Sequence, residues 1–116
     1  MGISFLAQNA GKKSLTLDLK SEEGKAIFER LLATADVLVE NFRPGVMARL
    51  GLDYDRLKDR HPRLIYCAIS GFGQTGPMSR RPAYDQISQG LSGVMSITGK
   101  PEDDPLRVGY PLADTI

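Results

Sequence analysis

The chain is short of the residues that build several kinds of site. It has one cysteine, Cys67, and one histidine, His61, in 116 residues. A single cysteine excludes an internal disulfide and points to a reducing, cytoplasmic setting. One His and one Cys cannot assemble a His/Cys metal site, so no metal ligands are assigned. Charge of one sign is missing too: Lys+Arg 15 against Asp+Glu 14. Without a basic field, nucleic acid is not an expected partner. No apolar run approaches the roughly 20 residues of a membrane-spanning helix, so no membrane partner is expected. The opening Met1-Gly-Ile-Ser-Phe-Leu-Ala-Gln-Asn9 has neither the charged nor the long apolar region of a secretion signal.

What remains is ordinary globular composition, 41% hydrophobic and 25% charged, at a length that fits one domain with one core. Lys13–Leu19 alternates, with Leu15, Leu17 and Leu19 on one face, which predicts a half-buried strand. Ser21 is an N-cap for a helix over Glu22–Ala33, with Glu22 and Glu23 in its first turn. Asp36–Glu40 reads as a strand and Asn41-Phe-Arg-Pro-Gly45 as its break. Val46–Leu50 is a helical turn stopped by Gly51. Asp53 caps a second short helix, Tyr54–Arg60, ended by Pro62. Leu64–Ile69 is a buried strand. Ala83–Thr98 predicts a helix with Ile87, Leu91, Val94 and Met95 on one face. Arg107–Leu112 predicts a last strand, with a helix about to begin near Asp114. Strands alternating with helices mean an α/β layer with a mostly parallel sheet.

The loop Ser70-Gly-Phe-Gly-Gln-Thr-Gly-Pro77 holds three glycines and follows a buried strand. Open α/β sheets place ligands at such strand ends. Gly71, Gly73 and Gly76 fit G-x-G-x-x-G by letter, yet Pro77 does not open a helix, so the match is weak as a dinucleotide fingerprint. A plain glycine-rich connection explains it equally well. Asn41–Gly45 reads as a turn, or as a loop whose Asn41 and Arg43, with Arg49, meet a purine or phosphate. Asp85 is either a capping carboxylate or, with Tyr84, part of a cleft rim. His61 reads as a helix C-terminal dipole partner and Cys67 as a small apolar filler. Asp114 is an N-cap or a carboxylate nucleophile, and residue types alone do not choose.

Seven motifs in register carry a resemblance. Asn9-Ala-Gly-Lys-Lys-Ser-Leu-Thr-Leu-Asp-Leu-Lys20, Ala35-Asp-Val-Leu-Val-Glu-Asn-Phe-Arg-Pro-Gly45, Leu50-Gly-Leu52, Pro62-Arg-Leu-Ile-Tyr66, Ser70–Pro77, Leu91-Ser-Gly93 and Thr98-Gly99 stand in the order of class III coenzyme A transferases, the CaiB/BaiF-like family. The resemblance implies an α/β, Rossmann-like large domain and a smaller second domain. Residues 1–116 then form a single partial α/β domain, the N-terminal half of the large domain without the small one. It implies transfer of coenzyme A between carboxylic acids, with acyl-CoA and acid as substrates, no permanently bound cofactor, and an interlocked homodimer or higher homo-oligomer.

By the same resemblance Asp114 is the nucleophile, with Tyr84 and Asp85 beside it. Leu17, Asp18, Leu19 and Lys20 match one coenzyme A contact, and Asn41, Phe42 and Arg43 the next. Arg49 matches a phosphate or adenine contact, and Pro82 and Ala83 lie near the thioester. The implied chemistry is covalent: Asp114 takes the acyl group, then coenzyme A, and passes coenzyme A to the acceptor acid. Family racemases carry a histidine where this chain has Tyr84. A phenol gives up its proton only near about pH 10, so the transferase reading is preferred. Two alternatives stand beside it: the racemase, and a non-catalytic module that binds coenzyme A or associates with itself.

Overall fold

A computed structural model of the chain describes residues 2–115. They fall into two compact units, the first ending at Thr34 and the second starting at Ala35.

The first unit holds two helices. Helix α1, Ile3–Gln8, is closed by Asn9, whose Nδ2 donates to the Phe5 carbonyl at 2.9 Å. No helix is expected here from the sequence, and α1 buries none of its residues, so packing does not hold it in place. Helix α2, Glu22–Leu32, starts as predicted: Ser21 Oγ accepts from the Gly24 amide at 3.0 Å, and Glu22 and Glu23 sit in the first turn. Between them the expected strand Lys13–Leu19 is not formed: residues 12–18 have no regular structure, Leu19 lies in a turn, and Leu15 is exposed. Alternation marks which side chains share a face; it does not supply a neighbour for the backbone groups.

The second unit is built on two parallel strands. β1, Val37–Glu40, pairs with β2, Ile65–Ala68, in a register running from Val37↔Ile65 to Glu40↔Ala68. The α/β class and parallel sheet are as predicted, with two strands in place of four. The crossover carries α3, Val46–Leu50, and α4, Tyr54–Leu57. Gly51 ends α3 at φ 78°, a left-handed conformation that costs a residue without Cβ little. Its amide returns to the Ala48 carbonyl and the Leu52 amide to the Met47 carbonyl, a Schellman closure. Asp53 Oδ1 accepts from the Arg56 amide at 3.3 Å and caps α4. Helix α4 stops at Leu57, short of the predicted Arg60, in a run of turns. Met47, Leu52 and Leu57 are the buried apolar side chains of this unit, all within the crossover.

The long predicted helix Ala83–Thr98 is two pieces. Helix α5 spans Asp85–Leu91, and a 3₁₀ turn follows at Val94–Ile97. Gly93 separates them at φ 82°. The buried face of α5 is also unexpected. Ile87 and Leu91 are exposed, while Asp85 and Gln89 are 5% and 1% exposed. Residues Arg107–Pro111 form no strand; side-chain bonds from Gln89 hold them instead. A four-residue helix α6, Leu112–Thr115, then begins, as expected near Asp114.

Candidate functional site

Four loops converge at the carboxyl ends of the two strands and beyond, and specific contacts tie each to the next. The first tie lies just past the last pair of the ladder. Ile69 donates its amide to the Glu40 carbonyl at 2.9 Å, and its own carbonyl accepts from Asn41 Nδ2 at 2.8 Å. Asn41 therefore fastens the break after β1 to the start of the glycine-rich loop after β2. Glu40, 7% exposed, turns its carboxylate back onto the chain, and Oε2 accepts from the Phe42 amide at 2.7 Å. That bond fixes the direction in which Phe42 and Arg43 leave the strand. Phe42 is left 47% exposed, a large apolar surface at the rim.

The second tie is steric. Gly71 packs against Ala83 so closely that a Cβ added there would overlap the Ala83 Cβ. Its φ is not in the left-handed region, so the close approach, not backbone freedom, demands glycine. The glycine-rich loop is thereby held against Ala83.

The third tie is a buried polar cluster. Asp85 Oδ1 accepts from the Ala113 amide at 2.8 Å, and Oδ2 accepts from Gln89 Nε2 at 2.6 Å. Gln89 Nε2 also donates to the Tyr110 carbonyl at 3.2 Å, and Gln89 Oε1 accepts from the Val108 amide at 2.9 Å. A buried carboxylate needs such donors to offset lost hydration. The result joins α5 to the whole segment 108–113, immediately before Asp114. Asp85 thus does cap a helix, but it caps α6, not its own.

Asp114 itself lies in the first turn of α6 with an exposed side chain, one residue past the amide that Asp85 holds. Its placement inside the helix rules out the N-cap reading. Tyr84 is the N-terminal boundary residue of α5, makes no side-chain capping bond, and is 71% exposed.

Arg43 reaches a second feature, a cavity of about 400 Å³ beside the crossover, lined also by Glu40, Tyr54, Tyr66 and Gln74. Tyr54 and Tyr66 meet edge to face at 6.1 Å between ring centres. Burial, helped by the charges of Glu40 and Asp53, pushes the Tyr66 phenol up to about 12. Arg49 stands on α3 over Gly45, with Nη1 in van der Waals reach of where a Cβ would be.

The structure therefore brings Asn41, Phe42, Arg43 and Arg49 together around the end of β1, and Pro82, Ala83, Tyr84, Asp85 and Asp114 together around α5 and α6. Leu17, Asp18, Leu19 and Lys20 belong to the first unit. There Asp18 Oδ1 accepts from the Lys20 amide at 2.9 Å and the Asp18 carbonyl accepts from the Ser21 amide at 3.1 Å, a tight turn running into α2. Gly24 backs this turn so closely that a Cβ would overlap the Asp18 carbonyl oxygen.

Sequence reasoning missed Gln89, Glu40 and Tyr66. Gln89 had a faint signal, four residues after Asp85 and so on the same helical face. Among the described residues no group of His, Cys, Asp and Glu is arranged to hold a metal ion, and no helix is long and apolar enough to cross a membrane.

A sequence profile of CoA-transferase family III matches residues 1–116. A succinate–glutarate CoA-transferase of Agrobacterium fabrum is 52% identical over 110 residues, 95% of this chain and 28% of the relative. An acetyl-CoA:oxalate CoA-transferase of Acetobacter aceti is 56% identical over 105 residues, 90% of this chain and 27% of the relative. The crystal structure of a CaiB/BaiF family protein from Brucella suis superposes with a TM-score of 0.84 at 48% identity, covering 90% of this chain and 28% of that one. The chain spans under a third of the length of these relatives. This chain belongs to CoA-transferase family III.

Proposed function

We propose that this chain carries the nucleophile and much of the coenzyme A contact surface of an enzyme that moves coenzyme A between two carboxylic acids. The observation that carries the reading is the exposed Asp114 carboxylate at the head of α6, next to an amide fixed by a buried Asp85. A nucleophile must be both reachable and held; the exposed Asp114 carboxylate and the anchored Ala113 amide before it support the reading.

The steps balance without a cofactor. The Asp114 carboxylate attacks the thioester carbonyl of the donor acyl-CoA. A mixed anhydride forms, the carbon–sulfur bond breaks, and coenzyme A leaves as the thiolate. The thiolate attacks the Asp114 carbonyl, which releases the donor acid as its carboxylate and leaves an aspartyl thioester. The acceptor carboxylate attacks that thioester to give a second anhydride and the thiolate again. Attack of the thiolate on the acceptor carbonyl yields the new acyl-CoA and restores the Asp114 carboxylate. Backbone amides of the Ser70–Pro77 loop suit the developing oxyanions, since glycine lets the main chain approach.

Coenzyme A carries phosphates, and Arg43, Arg49 and Lys20 are the cations assigned to it, with Leu17, Asp18, Leu19, Asn41, Phe42, Pro82 and Ala83 as further contacts. Tyr84 and Asp85 flank the reacting carbonyl. The first relatives are named for succinate, glutarate, oxalate and acetyl-CoA, which makes short acids of this kind the first donor–acceptor pairs to assay. A homo-oligomer in the cytoplasm completes the reading.

The test is a trapping experiment on the full reading frame that encodes this chain. Incubation with succinyl-CoA and hydroxylamine should place a hydroxamate on Asp114, seen by peptide mass spectrometry. Asp114→Asn should abolish the label and lower turnover by about 10³-fold or more. A label on another carboxylate, or undiminished turnover in Asp114→Asn, removes the assignment.

A further inference from the structure

Gln89 makes three side-chain hydrogen bonds from a buried position in the second unit. It is 1% exposed and uses both amide hydrogens and its oxygen. Oε1 faces the Val108 amide, a donor, at 2.9 Å. Nε2 faces two acceptors, Asp85 Oδ2 at 2.6 Å and the Tyr110 carbonyl at 3.2 Å. Its orientation is thus dictated by its neighbours, because the flipped amide would set donor against donor and acceptor against acceptor. Simple packing does not ask for a residue of this kind. A buried Leu at the same place would fill the volume and leave the Val108 amide and the Tyr110 carbonyl unsatisfied at a cost.

We propose that Gln89 is a positioning residue for Asp114: it holds residues 108–110 directly, and it orients the Asp85 carboxylate that fixes the Ala113 amide at the head of α6. The proposal rests on the reading of Asp114 as nucleophile. The path is short and explicit. One face of Asp85 is committed to Gln89, so its other oxygen meets Ala113, and Asp114 follows in the chain. Gln89 touches neither substrate nor the reacting atoms. Its contribution is the angle at which the carboxylate is presented, where small displacements are expensive in rate.

The near-isosteric variant Gln89→Glu gives the decisive readout. At neutral pH it puts a carboxylate against the Asp85 carboxylate and the Tyr110 carbonyl, replacing a donor by an acceptor on both. Of the groups that the Gln89 side chain bonds, only Asp85 is an ionisable side chain; the other two are backbone groups of Val108 and Tyr110. Protonation of the shared pair returns one donor, so acid should restore the contact. The experiment measures hydroxylamine labelling of Asp114 in the full reading frame, each variant divided by wild type at the same pH. Gln89→Glu should fall about 10-fold to 100-fold at about pH 7.5 and recover most of that at about pH 5.5. Gln89→Leu should fall at both pH values. KM for acyl-CoA should stay within about twofold, because the Gln89 side chain bonds to none of the assigned coenzyme A contacts. Hydrogen exchange at the Val108 and Ala113 amides should quicken in both variants.

A labelled wild type with Gln89 variants that match it in rate and exchange overturns the role of Gln89 alone. So does a Gln89→Glu deficit that is the same at both pH values. A wild type that takes no label at Asp114 overturns the nucleophile reading and this role with it.

Discussion

Asp85 and Ala113 lie 28 residues apart in the chain and are joined by a single hydrogen bond of 2.8 Å, from the backbone amide of Ala113 to Asp85 Oδ1. The bond is partly buried, and the other carboxylate oxygen is taken by Gln89. Replacing Asp85 by Asn keeps the shape and changes the chemistry. With its oxygen kept on Ala113, the new amide would point hydrogens at Gln89 Nε2. Asp85→Asn should therefore destabilise the second unit by about 1–3 kcal/mol. Adding Gln89→Glu restores a donor–acceptor match on that edge, so the double variant should lose less than the sum of the two single losses. Urea unfolding of the four proteins measures both quantities.

Gly71→Ala places a methyl group inside Ala83. The cost should be about 1–3 kcal/mol, as for other overpacked sites. Ala83→Gly in the same chain removes the obstruction and should recover most of it. Strong coupling in this double cycle would show that contact, not backbone conformation, requires the glycine; additive losses would show the reverse.

Gly24→Ala tests a sign. In an exposed helix interior, Ala normally stabilises by about 1 kcal/mol over Gly. Here the new Cβ meets the Asp18 carbonyl oxygen. The substitution in α2 should destabilise, and hydrogen exchange at the Lys20 and Ser21 amides should rise as the Asp18 turn is pushed away.

Tyr66 supplies a prediction in alkali. Its folded value is pushed from the ordinary 10.0 up to about 12, first by burial and then by Glu40 and Asp53. A raised folded value means that the neutral phenol stabilises the fold fully below about pH 10, and that this contribution is lost as pH climbs from there through about 12. Ultraviolet titration should show a late tyrosinate phase that is missing in Tyr66→Phe. Glu40→Gln should bring the phase earlier only in part, since burial is the larger cause. A late phase that survives in Tyr66→Phe would assign it to another tyrosine.

The features legible in the sequence were those encoded within a few residues. Ser21 caps the Gly24 amide and Gly51 returns its amide to the Ala48 carbonyl, each three residues away, and both elements stand where the sequence places them. The strands β1 and β2 were legible because each is a short apolar run between breaks. Lys13–Leu19 was misread because its leucines alternate just as a paired strand's would. Ala83–Thr98 is not one helix because Gly93, at φ 82°, breaks it between Leu91 and Val94. The polar face of α5 was illegible for a deeper reason: Asp85 and Gln89 look like an exposed i, i+4 pair until segment 108–113 arrives to use them. Of the candidate site, the loops were visible as loops. The chemical roles proposed for them rest only on the register of seven motifs taken together.

The Asn41–Ile69 bond has a mechanical consequence. It stands where the next rung of the β1–β2 ladder would be, but a side chain has taken the place of the main-chain donor. The backbones can then part at that point without leaving the Ile69 carbonyl unpaired. The pair acts as a hinge pin between two diverging loops. Any load that shifts residues 41–43 is delivered to residues 69–71, and from Gly71 to Ala83.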